Sequence, residues 1–554
     1  MRALLVQAAT SPTYWGYQHS LPFIRKRATL PPLGLATLAA HLPASWELRI
    51  RDLHLAPLSE DDLRWADAVL VSGMLVQASA IHEVLALAAR RRKVTVVGGP
   101  AATTSPGAFP EATHVFQGEA EGRLDLLVRA LEAPGSVPER VLSPPGLERP
   151  DLALARVPRF DLLDLHAYAT FALQVSRGCP FTCEFCDIIE VFGRAPRVKS
   201  PKQVLAELEA LRSLGARGPL FLVDDNFIGN RRAVSTILPK VAAWQRAHGS
   251  PFDLYTEASL DLADEPELLR SMIDAGFTAV FVGIETPNPA ALAEAGKKQN
   301  LRADPATSVR TLTRAGLEVF AGFIVGFDSD DDTIFERQRR FIASLPIPRA
   351  MVGTLLALPG TALWRRLERE GRLRARPTGD QFDRPNFAPA MGEETLVAGY
   401  ARLLEALFDE EAYFARCALH LDEAPIRPAP LRPGSIAALG RAVWRLGVLG
   451  PRRRWFWRLV GKGLRRGAFP GLARAVTLAI LGEHLIRYTR EDVLPRLSRR
   501  LEELRAEERA QAHVAPPRPA PVRPATAVRS AEGRGPRWLG PLSSTARRTY
   551  PPGR

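Results

Sequence analysis

The chain has 554 residues, 46% of them hydrophobic, which is material for roughly two to four domains with real cores. Its four cysteines suit a reducing cytoplasm better than a disulfide scaffold, the N-terminal apolar run is too short for a signal peptide, and no run of about 18 apolar residues offers a bilayer-spanning helix. Lys and Arg exceed Asp and Glu by 14 and the pI is about 10.1, a balance that points to an anionic partner, either a membrane surface or nucleic acid.

Residues 1–140 alternate strands and helices: a buried strand "ALLVQ", a helix "PLGLATLAAHL", then strands "ELRIRDL", "DAVLVSGM", "KVTVVGGP" and "HVFQ". Continuous apolar strands between helical segments predict a parallel, doubly wound sheet, a Rossmann-like α/β domain. Ser72 closes the third strand, Gly98 and Gly99 the fourth, and "QGEAEG" (117–122) follows the fifth. Glycines at strand ends let a backbone approach a bound ligand closely. A Pro-rich linker is expected over 141–167.

From 168 to 394 the alternation resumes through six βα units, with strands "FALQVSRG", "PLFLVDDNF", "FDLYTEASL", "TAVFVGIET", "EVFAGFIVGF" and "RAMVGTLLAL". These predict a partial (β/α)6 barrel, whose site forms at the C-terminal ends of its strands. The polar or Gly-rich ends "DDNF", "IET", "GFD" and "LPGT" collect there and bring Asp224, Asp225, Glu285, Gly322 and Gly326 with them. Residues 395–512 read as a basic helical region in which "GPRRRWFWRLVGKGLRRGAF" carries seven cations, no acid and interleaved aromatics. The Pro/Arg/Ser-rich tail 513–554 is expected to be disordered.

Three of the four cysteines, Cys179, Cys183 and Cys186, stand in "SRGCPFTCEFCDI". Three thiols do not pair as disulfides, and a structural zinc site wants four ligands, for which no nearby Cys or His is at hand. Packing as small buried hydrophobes is the plain alternative, but Gly178, Pro180 and Thr182 make this stretch a loop rather than a core face. Three thiolates can instead hold three irons of a [4Fe-4S] cube and leave the fourth open as a substrate site.

The C-x3-C-x2-C spacing, with Phe185 before the last cysteine, resembles the signature of the radical S-adenosylmethionine (SAM) enzymes. That resemblance implies that the open iron chelates SAM and that an external electron donor such as a flavodoxin or ferredoxin feeds the cluster. It places Asp224 and Asp225 near the SAM amino group and Glu285 near its ribose or carboxylate. "GFIVGFD" is similar to the family's G-x-I-x-G-x-x-E adenine motif, of which Gly322 and Gly326 match while the terminal Glu is absent.

Ser72, Gly98, Gly99 and "GEAE" together resemble the cobalamin-binding domain that precedes many radical SAM domains, where the Ser and Gly pair line the pocket for the nucleotide tail. Many such domains carry D-x-H-x-x-G after the first strand, with the His on cobalt, but the loop here, "AATSPTYWGYQHS", lacks it. Asp52-Leu53-His54 copies the first half after the second strand without the Gly, so His54 reads as a surface or turn residue. Cobalamin without a lower His ligand is the implication.

Across residues 1–420 the chain is similar to the cobalamin-dependent radical SAM proteins of the hopanoid methylase type, through "PPLGLATLAAHLP", "GRAPRVKS", "FLVDDNFIGN", "YTEASLDLAD" and "FVGIETPN". The resemblance implies a methyltransferase acting on an unactivated carbon of a lipid, with a hopanoid ring carbon as the target, and a peripheral contact at the inner face of the membrane. The alternatives are a rearrangement or oxidation that uses cobalamin differently, an RNA-modifying enzyme, and a cobalamin sensor without catalysis. No appended nucleic-acid-binding motif supports the RNA reading, and the cysteine triad argues against the sensor.

Overall fold

The structure, a computed structural model, describes residues 1–143, 149–427 and 434–514. The first domain is a six-stranded parallel sheet of β1 (Arg2–Gln7), β2 (Glu47–Asp52), β3 (Ala68–Ser72), β4 (Val94–Gly98), β5 (His114–Phe116) and β6 (Val141–Leu142), in the order β2-β1-β3-β4-β5-β6. Its inner strands β1, β3 and β4 are apolar on both sides because both faces are covered, whereas the edge strand β2 carries Glu47, Arg49 and Arg51. Leu4, Val6, Val69 and Val71 enter one core, and Ala3, Leu5, Ala68 and Leu70 alternate into the other. Chain order reverses between β1 and β3, and a crevice opens at such a switch point, beyond the strands' C-terminal ends. The sequence places Val141–Leu142 in the linker; instead they pair in parallel with Val115–Phe116 and extend the sheet.

The second sheet is also all parallel, with β7 (Phe171–Leu173), β10 (Gly218–Leu222), β11 (Phe252–Glu257), β12 (Phe277–Glu285), β13 (Glu318–Val325) and β14 (Ala350–Thr354) neighbouring one another in chain order. This is the six-unit partial barrel. "FALQVSRG", read as one strand, divides: after Leu173 the backbone leaves the sheet, and β8 (Ser176–Arg177) forms an antiparallel ribbon with β9 (Arg197–Val198). The crossover helix Pro201–Ser213 starts at a capping box of Ser200 and Gln203, with Pro201 at its first position.

Helices Glu393–Leu407 and Glu410–Glu423 share one core with the barrel. The helical run Arg453–Tyr488 reverses at Gly467 (φ −172°, ψ 36°) and Ala468 (φ 46°, ψ −125°). Its arms then run antiparallel, with Arg452 paired to Glu483 and Gly463 against Gly471. A Cβ on Gly463 would stand 2.3 Å from the Gly471 carbonyl oxygen, so the close approach requires glycine. One window within Arg453–Ala510 is apolar enough by length and composition to cross a membrane, although no uninterrupted apolar run announces it, and 56% of it is buried inside the protein. Residues 1–505 form one compact unit, and the last described element is the helix Leu494–Val514. The tail expected to be disordered lies, from residue 515, outside the described residues.

Candidate functional site

The cysteine loop leaves the ribbon at Gly178 (φ +97°), where a Cβ would come within 2.7 Å of the Gly193 carbonyl oxygen. That oxygen accepts the Cys179 N–H at 3.2 Å. The far side of the loop is pinned by the Glu184 N–H to the Ala295 carbonyl (2.8 Å) and by the Leu363 N–H to the Glu184 carbonyl (2.9 Å). Cys179, Cys183 and Cys186 stay partly exposed, and the Gln299 amide donates to the Cys183 Sγ at 3.7 Å. Burial pushes the Cys179 and Cys186 thiols up. Ligation by iron would displace those protons. Phe185 packs edge-on against Phe327, at 6.3 Å between ring centroids. Cys417 is fully buried and hydrogen-bonded to Tyr413 near Glu318. Glu318 opens β13, so Cys417 lies at the barrel end away from the loop.

Asp224 and Asp225 sit together at the end of β10 but do different things. Asp224 accepts the Val175 N–H (2.8 Å), the Ser176 N–H (2.7 Å) and the Ser176 hydroxyl (2.7 Å), so both oxygens serve to turn the chain out of β7. Asp225 accepts the Gly178 N–H at 3.0 Å. Burial raises these carboxyls to about 7 and about 6. Glu257, at the end of β11, is raised to about 8 by burial and by the charges of Asp225 and Asp224.

Glu285 adopts φ +67° where β12 and β13 slip register between Gly283 and Glu285. A left-handed conformation at a non-glycine residue is a local strain kept where the surroundings fix it. Here Glu285 pairs with Lys297, and a Cβ on Gly283 would meet the Glu285 carboxylate at 2.4 Å and the Lys297 ammonium at 2.6 Å. Burial alone would lower the Lys297 pKa, but Glu285 and the nearby Cys183 and Cys186 raise it. Further round the barrel, Gly322 leaves room for the Phe281 ring, and Gly326 turns the chain at φ +99°. Ser329 stands where the motif carries Glu, and the next residue, Asp330, accepts the Gly326 and Phe327 N–H groups at 3.1 Å each.

Between the two domains lies a cavity of about 280 Å³. Ser72, Gly98 and Gly99 line it, with Gly34, Gly118 and an apolar inner wall of Leu35, Leu70, Val96, Phe116 and Leu127. At Gly34, Gly98 and Gly118 nothing stands within 4 Å of where a Cβ would be, so these glycines hold space open. Gly99 (φ +88°) is fixed differently, since a Cβ there would meet the Ser72 hydroxyl at 2.4 Å. His54 does not reach this cavity's lining. Its Nδ1 meets Asp52 at 2.8 Å and its Nε2 meets Thr10 at 3.1 Å, so both ring nitrogens are engaged.

The barrel side of the cavity is closed by Arg177, one residue before the cysteine loop. Its guanidinium binds Glu119 at 2.7 Å and Glu121 at 2.7 and 3.0 Å, and Arg197 binds Glu119 at 2.7 and 3.0 Å. Glu119 and Glu121 are the carboxylates of "GEAE". This buried quartet fastens the first domain to the ribbon that carries the cysteines.

Residues 25–128 match the B12 binding domain, residues 173–342 the Radical SAM superfamily, and residues 361–494 a domain of unknown function, DUF4070. An uncharacterized methyltransferase of Synechocystis sp., sll1242, is 40% identical over 497 residues, 88% of this chain and 92% of that protein. A hopanoid C-2 methylase of Rhodopseudomonas palustris is 34% identical over 501 residues, 88% of this chain and 94% of that protein. The chain belongs to the cobalamin-binding radical SAM methyltransferases. In fold it matches the methyltransferase TsrM from Kitasatospora setae, solved with cobalamin and a [4Fe-4S] cluster, at a TM-score of 0.57 and 15% identity over 88% of this chain and 99% of that one.

The cofactors of this methyltransferase family are SAM, a [4Fe-4S] cluster and cobalamin, and the residues fit them. Three loop thiols suit three irons of a cube. The glycine-walled cavity, apolar inside and polar at its mouth, suits a nucleotide tail. Among the described residues no three Cys, His, Asp or Glu converge as one ion would need, whereas separate irons of a cube need no such convergence. Sequence reasoning missed Glu257, Lys297, Arg177 and Arg197. Glu257 ends a strand as Asp224 and Glu285 do, a signal that was available in "FDLYTEASL". The two arginines carried none.

Proposed function

We propose that this enzyme methylates an unactivated carbon of a hopanoid-type lipid, in the manner of the C-2 methylases. The observation that carries the reading is the barrel's aromatic wall. Phe221 stacks on Tyr255 at 4.7 Å between centroids, Phe320 lies 6.1 Å from Tyr255 and 6.0 Å from Phe281, and Trp15 from the first domain meets Phe281 at 5.5 Å. Such a wall suits a broad apolar ring system. The 34% identity to a hopanoid C-2 methylase supports the same substrate class.

Cys179, Cys183 and Cys186 hold the cluster in this reading, and Ser72, Gly98 and Gly99 border the cobalamin tail. Asp224 is occupied with the backbone, so Asp225 and Glu257 are the carboxylates left to receive the SAM ammonium. Glu285 on the next strand and its partner Lys297 stand beside them, and Gly322, Gly326 and Asp330 shape the adenine side. When bound, the cofactors supply a 5′-deoxyadenosyl radical and a methyl group. The chain holds the two sites in fixed relation and keeps water from them.

The test is anaerobic turnover with a hopanoid under reduction. Methylated product, S-adenosylhomocysteine and 5′-deoxyadenosine are expected to approach equal amounts, and deuterium at the target carbon is expected in 5′-deoxyadenosine. Altered but unmethylated product would replace this reading with a cobalamin-dependent rearrangement or oxidation. Lipid profiles of a host with and without the gene identify the substrate.

A further inference from the structure

Between Glu423 and Glu483 lie 59 residues with no carboxylate and twelve Lys or Arg, so this stretch accounts for +12 of the chain's net +14. Nine of the twelve lie between Ser435 and Gly467. The helix Ser435–Ala442, extended by a π turn over Val443–Val448, packs against the arm that begins at Arg453. The Trp457 indole donates to the Gly447 carbonyl at 2.9 Å and locks the two together.

The two sides of the Arg453 arm differ. Phe456, Leu459, Val460 and Gly463 are buried, whereas Arg454, Trp457, Arg458, Leu464 and Arg465 fall on the opposite stripe at helical spacing and are exposed. At the closed end Trp444 is 59% and Leu449 63% exposed, and Trp457 beside them is 47% exposed. Arg452, Lys462 and Arg466 have partners in Glu483, Asp422 and the Leu421 carbonyl. Among the described residues Arg454 and Arg458 instead have only the Trp455 ring, 5.0 Å from each guanidinium. Large exposed aromatics and aliphatics are unfavourable in water, and here arginines surround them. They match the headgroup boundary of an anionic bilayer, where the rings enter the interface and the guanidiniums meet phosphates.

We propose that this helical hairpin is a membrane-docking face, which seats the enzyme on anionic lipid through Trp444, Leu449 and Trp457 with Arg453, Arg454 and Arg458 around them. The hairpin is also joined to the segment that follows β1. Arg441 donates to the Phe23 carbonyl at 2.7 Å, and Arg445 lies over the Phe23 ring. Phe23 belongs to the same connection after β1 that presents Trp15 to the aromatic wall. Docking is argued from the hairpin itself and does not rest on the lipid reading above.

Flotation of the full-length protein with phosphatidylcholine vesicles, with and without phosphatidylglycerol, tests the proposal. Binding is expected to the anionic vesicles alone and to weaken with salt. Arg453→Ser/Arg454→Ser/Arg458→Ser is expected to lose roughly a hundredfold in affinity, from the general worth of a cation at such a surface. Trp444→Ser/Leu449→Ser is expected to lose binding at high salt first, and brominated lipid is expected to quench wild-type Trp fluorescence. Unchanged iron content and unfolding temperature in both variants exclude misfolding. Absence of wild-type binding, equal binding by the arginine variant, or competition by RNA that strips the protein from vesicles overturns the proposal. Binding without any methylated lipid would leave docking standing and remove the substrate reading instead.

Discussion

Replacing Arg177 by Met tests the fastening between the domains. The change removes contacts of 2.7 and 3.0 Å to Glu121 and one of 2.7 Å to Glu119. Glu119 retains Arg197, but Glu121, whose side chain is only 2% exposed, loses its cation. A charge pair about 4 Å apart is worth about 4 kcal/mol at an effective dielectric of about 20. The desolvation of Arg177 is recovered and that of Glu121 is not, so the net loss is about 3–5 kcal/mol. For a compact unit of 505 residues that corresponds to a fall of roughly 3–5 °C in unfolding temperature. Glu121→Gln/Arg177→Met is expected to recover most of it, since both charges are gone. Burial alone would raise the Glu121 pKa, yet the hydrogen bonds and charge of Arg177 lower it. A depressed folded pKa means the stabilisation is present above the ordinary carboxylate value of about 4.3 and is lost as pH falls below it. Thermal unfolding of single and double variants at pH 7 and pH 3.5 reads all of this. An unshifted Arg177→Met midpoint, or a double variant no better than the worse single one, would refute the reasoning.

Gly98→Leu is expected to abolish cobalamin retention while leaving the unfolding temperature near that of the wild type, because the side chain enters open cavity; retention measured by absorbance after gel filtration decides it. Gly178→Ala combines a left-handed φ with a 2.7 Å approach to the Gly193 oxygen and is expected to lose most cluster iron, whereas Cys417→Ala is expected to keep it, both read by iron and sulfide analysis. Glu257 has a folded pKa of about 8, so the folded site keeps a proton that the unfolded chain releases, and stability declines as pH rises from about 4.5 to 8. Glu257→Gln is therefore expected to raise the midpoint of the cluster-free protein more at pH 9 than at pH 5; an equal effect at both would contradict the assignment.

Much of the architecture was legible because parallel strands covered on both faces are written as uninterrupted apolar runs. "VLVS" and "KVTVVG" needed no context to be placed, and their terminal Ser72 and Gly98 do line a cavity. Val141–Leu142 was not legible, since a two-residue edge strand has no period to read. The site divides along similar lines. Cysteines are rare enough for their spacing to speak, but a lone Arg177 looks like any surface arginine until Glu119 and Glu121 arrive from 56 or more residues away. Asp224 drew attention for its type and position, yet its partners are the backbone N–H groups of Val175 and Ser176 and the Ser176 hydroxyl, and a sequence does not show which of two adjacent carboxylates faces inward.

The beginning of the chain is held by its end. Tyr14 donates to or accepts from Thr489 at 2.8 Å, His484 reaches the Thr13 and Tyr14 carbonyls at 3.1 Å, and the Tyr488 hydroxyl donates to the Pro12 carbonyl at 2.6 Å. Tyr14 and Thr489 are 475 residues apart. At a translation rate of about 5–20 residues per second, the connection after β1 waits roughly 25–95 s on the ribosome before its partners are made. Until then Tyr14 lacks the Thr489 hydroxyl and the Tyr488 ring, although Trp15 already has Phe281 and Tyr14 has Phe408 to pack on. Maturation is therefore not modular: a nascent chain stopped after the barrel still lacks the helix that pins residues 12–14, and the connection after β1 takes its final shape only when synthesis is nearly complete.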